Sequence, residues 1–313
     1  MRLEDAKRPH EPKAGHTGRW ARLRMTFRQS DKAGYFFVLP YLLFFAVFTA
    51  YPLIFAFILV FHRWNIVTPM EFTGLANLTH LLHDETFWHA LLNTVKFLIL
   101  HIPLQIAVAL IIAVALNKKL VLRGLFRASF FLPFVTSGAV VTILWNQLYS
   151  TNAGVLNLLL SRLGLPPVGW LTSPKLAIYS IAIMATWKNV GFYIVLFLAG
   201  LQNINPELYE VSSVDGAKPW TQFWRITLPL LNSVILLVFV LSTIGGFSLF
   251  IEPFVMTGGG PAESTLSVVL YLYKQAFAFL RMGYAATIGF VLALMILVVV
   301  VIQRKFIETE QYH

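Results

Sequence analysis

The chain has 313 residues, of which 58% are hydrophobic and 12% charged, against about 25% charged in an ordinary soluble domain. No Asp, Glu, Lys or Arg occurs from Ala33 to Phe61, Ala128 to Ser161, Ile226 to Ile251 or Met282 to Gln303, and each gap exceeds the roughly 18 apolar residues that read as a membrane span. A formal charge of +10 does not call for nucleic acid, because basic cytoplasmic loops are expected of any polytopic protein and no zinc-finger or RNA-binding signature is present; the lack of cysteine excludes disulfides and thiol catalysis.

The first 34 residues form a basic tail. Trp20, Leu23 and Phe27 recur at helical spacing among Arg19, Arg22, Arg24 and Arg28, which suits either a helix on anionic headgroups or a solvated basic tail. The apolar run that follows is too long for a signal-peptide core and is expected to be an uncleaved first span. Six spans are predicted, at Tyr35–Phe61, Ala90–Leu116, Ser129–Tyr149, Leu176–Leu201, Leu230–Phe250 and Tyr284–Ile302, giving an all-α integral membrane protein with a transmembrane domain over 35–302 and a short tail over 303–313. With the N-terminus inside, the inner segments hold 17 Lys and Arg and the outer ones 5. That asymmetry predicts cytoplasmic termini at both ends. Pro40, Pro52, Pro103 and Pro133 fall within spans and predict kinks whose freed carbonyls find partners in a bundle.

Several chemistries are missing. All 14 Asp and Glu residues are expected in loops or tails, which argues against a proton relay or an intramembrane hydrolase. There is no phosphate-binding loop, and Gly258-Gly259-Gly260-Pro261 lacks the lysine and hydroxyl such a loop needs. The chain is therefore expected to have no catalytic residues, and any ATP must be hydrolysed by another subunit. His80, His83 and His89 cluster in an outer loop without a metal-site spacing, so no metal is expected.

The segment 202–229 between the fourth and fifth spans carries its own signals. Asn205-Pro206 opens a short helix with a cap and a first-turn proline, Glu207 and Glu210 suit its positive end, and Leu208, Val211 and Val214 repeat every third residue. Gly216 supplies a stop, and Pro219 can open a second short helix through Phe223 and Ile226. An apolar stripe facing the cytosol invites a docking partner, the alternative being the bilayer surface or the chain's own bundle.

At this loop the sequence resembles the EAA loop of permease subunits in binding-protein-dependent ABC importers. The run Glu210-Val211-Ser212-Ser213-Val214-Asp215-Gly216-Ala217, then Phe223, Ile226 and Leu228-Pro229, carries the likeness, with Val211 and Ser212 where the family usually has Ala-Ala. Asn93-Thr94, Arg123-Gly124-Leu125-Phe126-Arg127, Phe131-Leu132-Pro133, Trp187-Lys188, Gly200-Leu201-Gln202 and Thr257-Gly258-Gly259-Gly260-Pro261 extend it over about 35–305 and are similar to the carbohydrate, maltose-permease-like branch. The resemblance implies that residues 207–217 form a coupling helix docked in an ATPase groove. It also implies a second permease subunit lining the same pathway, two ATPase subunits holding ATP and magnesium, an extracytoplasmic solute-binding protein, and a multi-pass location in a bacterial or archaeal inner membrane.

For the solute, Lys96 lies near enough to its span's outer end to snorkel. Lys188 lies near the middle of the fourth span, where a lysine marks a polar cavity or partner. Trp187, Asn189, Tyr193 and Phe197 accompany it, and Gly245-Gly246 precedes Phe247 and Ser248 in the fifth span. Aromatics beside polar groups suit a sugar; the alternative is a lysine bonded to carbonyls freed by a kink. The expected solute is a neutral di- or oligosaccharide, with glycerol phosphate or another polyol derivative as the alternative, and an ion-coupled carrier acting alone as the rival class.

Overall fold

A computed structural model describes residues 31–118 and 121–308, so the readings for the basic tail before Asp31 lie outside the described residues. The chain divides after Ala56, and its two parts are described separately. In chain order the elements are α1 (Asp31–Phe45), α2 (Tyr51–Val60), β1 (His62–Arg63), β2 (Glu71–Phe72), α3 (Ala76–Leu82), α4 (Glu85–Asn117), α5 (Arg123–Val135), α6 (Gly138–Leu148), α7 (Val155–Arg162), α8 (Ala177–Gln202), α9 (Glu207–Val214), α10 (Pro219–Gln222), α11 (Leu228–Leu230), α12 (Asn232–Phe247), α13 (Ile251–Met256), α14 (Val268–Tyr273) and α15 (Met282–Glu308). β1 and β2 pair antiparallel, with His62 opposite Phe72 and Arg63 opposite Glu71. Among the described residues five helices are long and apolar enough to cross a membrane, and a sixth span results if the bent pair α5 and α6 counts as one.

Proline is absorbed in two ways. Pro40 and Pro103 sit inside α1 and α4. Before Pro52 and Pro229 the chain widens into π turns, Ala46–Ala50 and Phe223–Thr227, in which Tyr51 N–H reaches back to the Ala46 carbonyl and Leu228 N–H to that of Phe223. The wider turn makes room for the ring in the following residue and re-pairs a carbonyl that proline cannot serve.

The third span bends, as Pro133 predicts, but far more sharply than a kinked helix. Instead of one helix over Ser129–Tyr149, α5 and α6 meet at 97°. Pro133 lies within the last turn of α5, Thr136 is extended, and Ser137 leaves helical geometry at φ −50° and ψ 127°. The Thr136 hydroxyl then donates to the Leu132 carbonyl at 2.8 Å. The fifth span carries a milder step: α12 ends at Phe247 and helix resumes as α13 at Ile251, within a single apolar stretch, Asn232–Met256, long enough to cross a membrane. The pieces beyond the two breaks, α6 and α13, pack on each other.

The second part of the chain packs around α4, whose 33 residues span about 50 Å and overshoot a hydrocarbon core of about 30 Å. On one side Ala109 and Ala113 are completely buried with Ile194, Phe197 and Leu201 of α8 and Val238 of α12. On the other, Phe87, Ala90, Leu98 and Ile102 join Val268 and Leu270 of α14 and Ile288 of α15. Within a bilayer such packing is favoured by close van der Waals fit rather than by escape from water, and small residues at i and i+4 let backbones approach.

At the start of α4, Asp84 ties three elements together. Its Oδ1 accepts from the backbone N–H of Thr86 at 3.0 Å and of Phe87 at 3.3 Å, and its Oδ2 accepts from the Tyr271 hydroxyl at 2.5 Å and from the Tyr284 hydroxyl. Burial pushes this carboxyl up, but the tyrosine and backbone donors outweigh it and hold it below its usual 3.8. Burial, then the bond to Asp84 and its charge, push the Tyr271 hydroxyl up to about 12. Close by, Asn93 donates to the carbonyls of Glu263 and Leu266 at 2.7 and 3.3 Å, and the Thr94 hydroxyl accepts from Val268 N–H at 3.2 Å. These residues anchor the chain leading into α14.

Candidate translocation site and coupling loop

The two breaks and the middle of α8 converge. A Cβ on Gly138, the first residue of α6, would lie 2.8 Å from Lys188 Nζ and 3.4 Å from Ile251 Cδ1, so the missing side chain is what admits the lysine between α6 and α13. Lys188 Nζ lies 3.4 Å from Glu252 Oε1. A charged pair inside a membrane bundle is stabilising only when each charge keeps its partner. Glu252 corrects the expectation that every carboxylate lies in a loop or tail: it is in the first turn of α13, buried, and faces the one lysine that the sequence places at depth.

The pair borders a cavity of about 470 Å3 between α4, α5, α8, α12 and α13. Lys188, Asn189, Tyr193 and Ser248 of the residues expected along a solute path line it. Asn189 engages its Nδ2 with the Ala185 carbonyl at 2.9 Å, which fixes the amide's orientation at the cavity edge. Three other expected residues lie elsewhere. Trp187 meets Trp145 ring to ring in a tilted pair, 5.4 Å between centroids, and lines a separate apolar cavity; Phe197 is completely buried in the α4–α8–α12 core, and Phe247 is buried against α4 and α14. Gly245 and Gly246 line it as well, together with Phe97, His101, Phe134 and Ser242, which the sequence reading does not single out. His101 meets the Thr186 hydroxyl at 2.9 Å through Nδ1 and stacks on Phe97 at 4.8 Å. The available signal was the recurrence of Phe97 and His101 at i and i+4 on one face of α4.

The loop 202–229 is built from α9, α10, a π turn and α11. Asn205 Oδ1 accepts from Glu207 N–H at 3.1 Å and caps α9. At the other end Ala217 N–H reaches the Ser212 carbonyl at 2.9 Å and Gly216 N–H that of Ser213 at 3.1 Å, the double bond pattern of a Schellman stop. Gly216 has φ +80°, a conformation that a β-branched residue resists. Gln222 Nε2 clasps the Tyr209 carbonyl and the Ser212 and Ser213 hydroxyls at 3.2, 2.9 and 2.8 Å, and the hydroxyls of Tyr209 and Thr227 meet at 3.0 Å. With one face of α9 fixed in this way, Leu208, Val211 and Val214 are left outward, Val214 with 89% of its surface exposed. Glu207, Glu210, Asp215 and Gly216 are exposed beside them, and Ala217 is half-buried.

Among the described residues no three His, Asp or Glu side chains come together as a metal site. His80 packs in a tilted ring pair with Tyr284 at 4.7 Å, and His83 meets the Thr79 carbonyl at 2.9 Å.

Known proteins share this architecture. The lactose transport system permease protein LacF of Rhizobium radiobacter is 39% identical over 282 residues, covering 88% of this chain and 94% of that protein. The arabinooligosaccharides transport system permease protein AraP of Bacillus subtilis (strain 168) is 38% identical over 299 residues, covering 94% and 93%. A chain in the crystal structure of a bacterial ABC transporter involved in the import of the acidic polysaccharide alginate superposes with a TM-score of 0.77 at 26% identity, covering 92% of this chain and 99% of that one. These relatives are transporter subunits rather than enzymes, and residues 105–308 match the family described as binding-protein-dependent transport system inner membrane component. With broken apolar spans around a polar cavity and relatives matched over nearly its whole length, this chain is a multi-pass membrane protein that belongs to that family.

Proposed function

We propose that this chain forms half of the translocation pathway for a neutral di- or oligosaccharide in an ATP-driven importer, with the cavity beside Lys188 and Glu252 as the solute's station in the membrane. The observation that carries the reading is the pair itself. Because the lysine is matched by a carboxylate 3.4 Å away, the cavity offers no net cation to a phosphate, which is normally held by arginine or several paired donors. It does offer the amide of Asn189, the hydroxyls of Tyr193 and Ser248 and the rings of Phe97 and Phe134, groups that suit sugar hydroxyls and the apolar face of a pyranose. The names of the lactose and arabino-oligosaccharide relatives agree with this class of solute.

In this reading α9 is the coupling helix. Glu207, Leu208, Glu210, Val211, Val214, Asp215, Gly216 and Ala217 meet an ATPase subunit that binds ATP and magnesium, and a second permease and an extracytoplasmic binding protein complete the importer. The termini face the cytoplasm.

Stimulation of ATPase activity in the assembled importer tests the solute. Lactose, trehalose or an arabino-oligosaccharide should stimulate and glycerol phosphate should not; stimulation by glycerol phosphate alone would reverse the assignment. An acidic sugar is the second reading, favoured by the alginate importer, and stimulation by uronate oligosaccharides alone would select it.

A further inference from the structure

A further cavity, of about 690 Å3, lies at the far end of α13 between that helix, the end of α6 and the chain after α7. It shares no lining residue with the Lys188–Glu252 cavity, and the six residues of α13 separate the two by roughly 9 Å. No Asp, Glu, Lys, Arg or His lines it. Its polar groups are amides and hydroxyls, and the side chains of Asn146, Gln147, Asn152 and Thr172 make no hydrogen bond to the rest of the described chain.

The walls are held in place by other residues. Asn157 donates through Nδ2 to the carbonyls of Thr151 and Val168 at 3.0 and 2.9 Å, and its Oδ1 accepts from Val168 N–H and Trp170 Nε1, both at 3.0 Å. Opposite, the hydroxyls of Thr257 and Thr265 meet at 2.6 Å and that of Thr265 donates to the Gly260 carbonyl at 2.8 Å. Tyr149 engages its hydroxyl with the Ser180 carbonyl at 2.9 Å, so at this cavity it contributes ring surface rather than a donor.

We infer that this charge-free cavity is a second carbohydrate site, a receiving station that holds a neutral sugar before it passes along α13 to the Lys188–Glu252 cavity. Amides both donate and accept, as sugar hydroxyls do, so the uncommitted groups match such a ligand without a counter-ion. A charged solute would find no opposite charge here, and an apolar one would strip water from amides without replacing the hydrogen bonds. The inference rests on the carbohydrate reading of the inner cavity.

The test is saturation-transfer NMR on the assembled importer in nanodiscs, without nucleotide or binding protein, with lactose, trehalose and arabinotriose as probes. Gln147→Leu combined with Asn152→Leu should weaken sugar binding about tenfold, while Asn189→Leu should leave binding at this cavity in place. Thr172→Val keeps the side chain's shape and should give a smaller loss in the same direction, which serves if the double variant does not assemble. Wild-type binding in the double variant, or in Thr172→Val when only that variant assembles, overturns the second site while the inner-cavity reading stands. If none of the three sugars stimulates the complete wild-type importer, the carbohydrate reading fails and this site falls with it.

Discussion

Lys188 Nζ and Glu252 Oε1 stand 3.4 Å apart where α8 faces the start of α13, with 14% and 11% of their side chains exposed. This pair joins the unbroken α8 to the fragment that resumes after the fifth span is interrupted. Glu252 occupies the first turn of α13, where the helix end favours a negative charge. The ammonium approaches over Gly138, where a Cβ would lie only 2.8 Å from it. The pair thus balances the cavity's charge and holds the ends of two broken spans against a continuous one.

Removing one partner should cost more than removing both. Lys188→Met or Glu252→Gln leaves the other group buried without its opposite charge, a loss of about 3–5 kcal/mol when a buried pair is broken. Lys188→Met combined with Glu252→Gln should be the more stable protein in thermal unfolding in detergent. Ligand-stimulated ATPase activity should fall in all three variants if the pair lines the pathway. Additive losses in the double variant would show that the two groups do not act as a pair.

Much of the helical layout is legible in the sequence because charge-free gaps mark membrane depth. The interruptions are harder to read, since apolarity runs straight through them. Pro133 and Gly138 are visible breakers, yet the residues around them remain as apolar as a span, and 97° between α5 and α6 follows only once Thr136 and Ser137 leave helical geometry. The sequence pattern puts Glu252 in a loop, because the gap in charge ends at Ile251, one position before it. Adjacency in sequence groups Trp187 with Lys188, but with 3.6 residues per turn neighbours on a helix diverge by about 100°. Trp187 accordingly meets Trp145 and not the cavity that Lys188 lines. Phe197 shares a face with Tyr193 but lies one turn further along, where α4 and α12 close over it.

Asp84 predicts an acid limit. Its carboxyl is held below its usual value by two tyrosine hydroxyls and two backbone donors, so the ionised form is favoured by the fold. The resulting stability is present above the unfolded-state value of about 3.9 and is lost as pH falls through the lower folded value. The thermal midpoint in detergent should change little through this group above about pH 5 and drop below about pH 4. Asp84→Asn should remove that component of the drop, and an identical acid profile in the variant would exclude Asp84 as its source.

Topology can be tested without background, because the chain contains no cysteine. Ser213 on α9 and Lys175 before α8 are both exposed. A cysteine at Ser213 should react with a membrane-impermeant maleimide only from the cytoplasmic side, and one at Lys175 only from outside. The reverse pattern would invert the assigned orientation and place α9 where no ATPase can reach it.

Gly216 gives the sharpest test of coupling. Its φ of +80° closes α9 through the bonds from Ala217 N–H to Ser212 and from Gly216 N–H to Ser213, and beyond the adjoining residues no atom of the described chain would lie within 4 Å of an added Cβ. Any effect of a larger side chain therefore comes from the backbone angle rather than from a clash. Gly216→Val should strain the stop by about 1 kcal/mol or more, and Gly216→Asn, which tolerates left-handed geometry, by less. Gly216 itself is exposed, so both variants should insert and keep a near-normal thermal midpoint. If α9 transmits the ATPase motion, Gly216→Val should lower uptake and solute-stimulated ATPase activity together, with Gly216→Asn in between. Full ATP-driven uptake by Gly216→Val would mean that the geometry closing α9 is not what the motor engages, and the coupling assignment would have to move elsewhere.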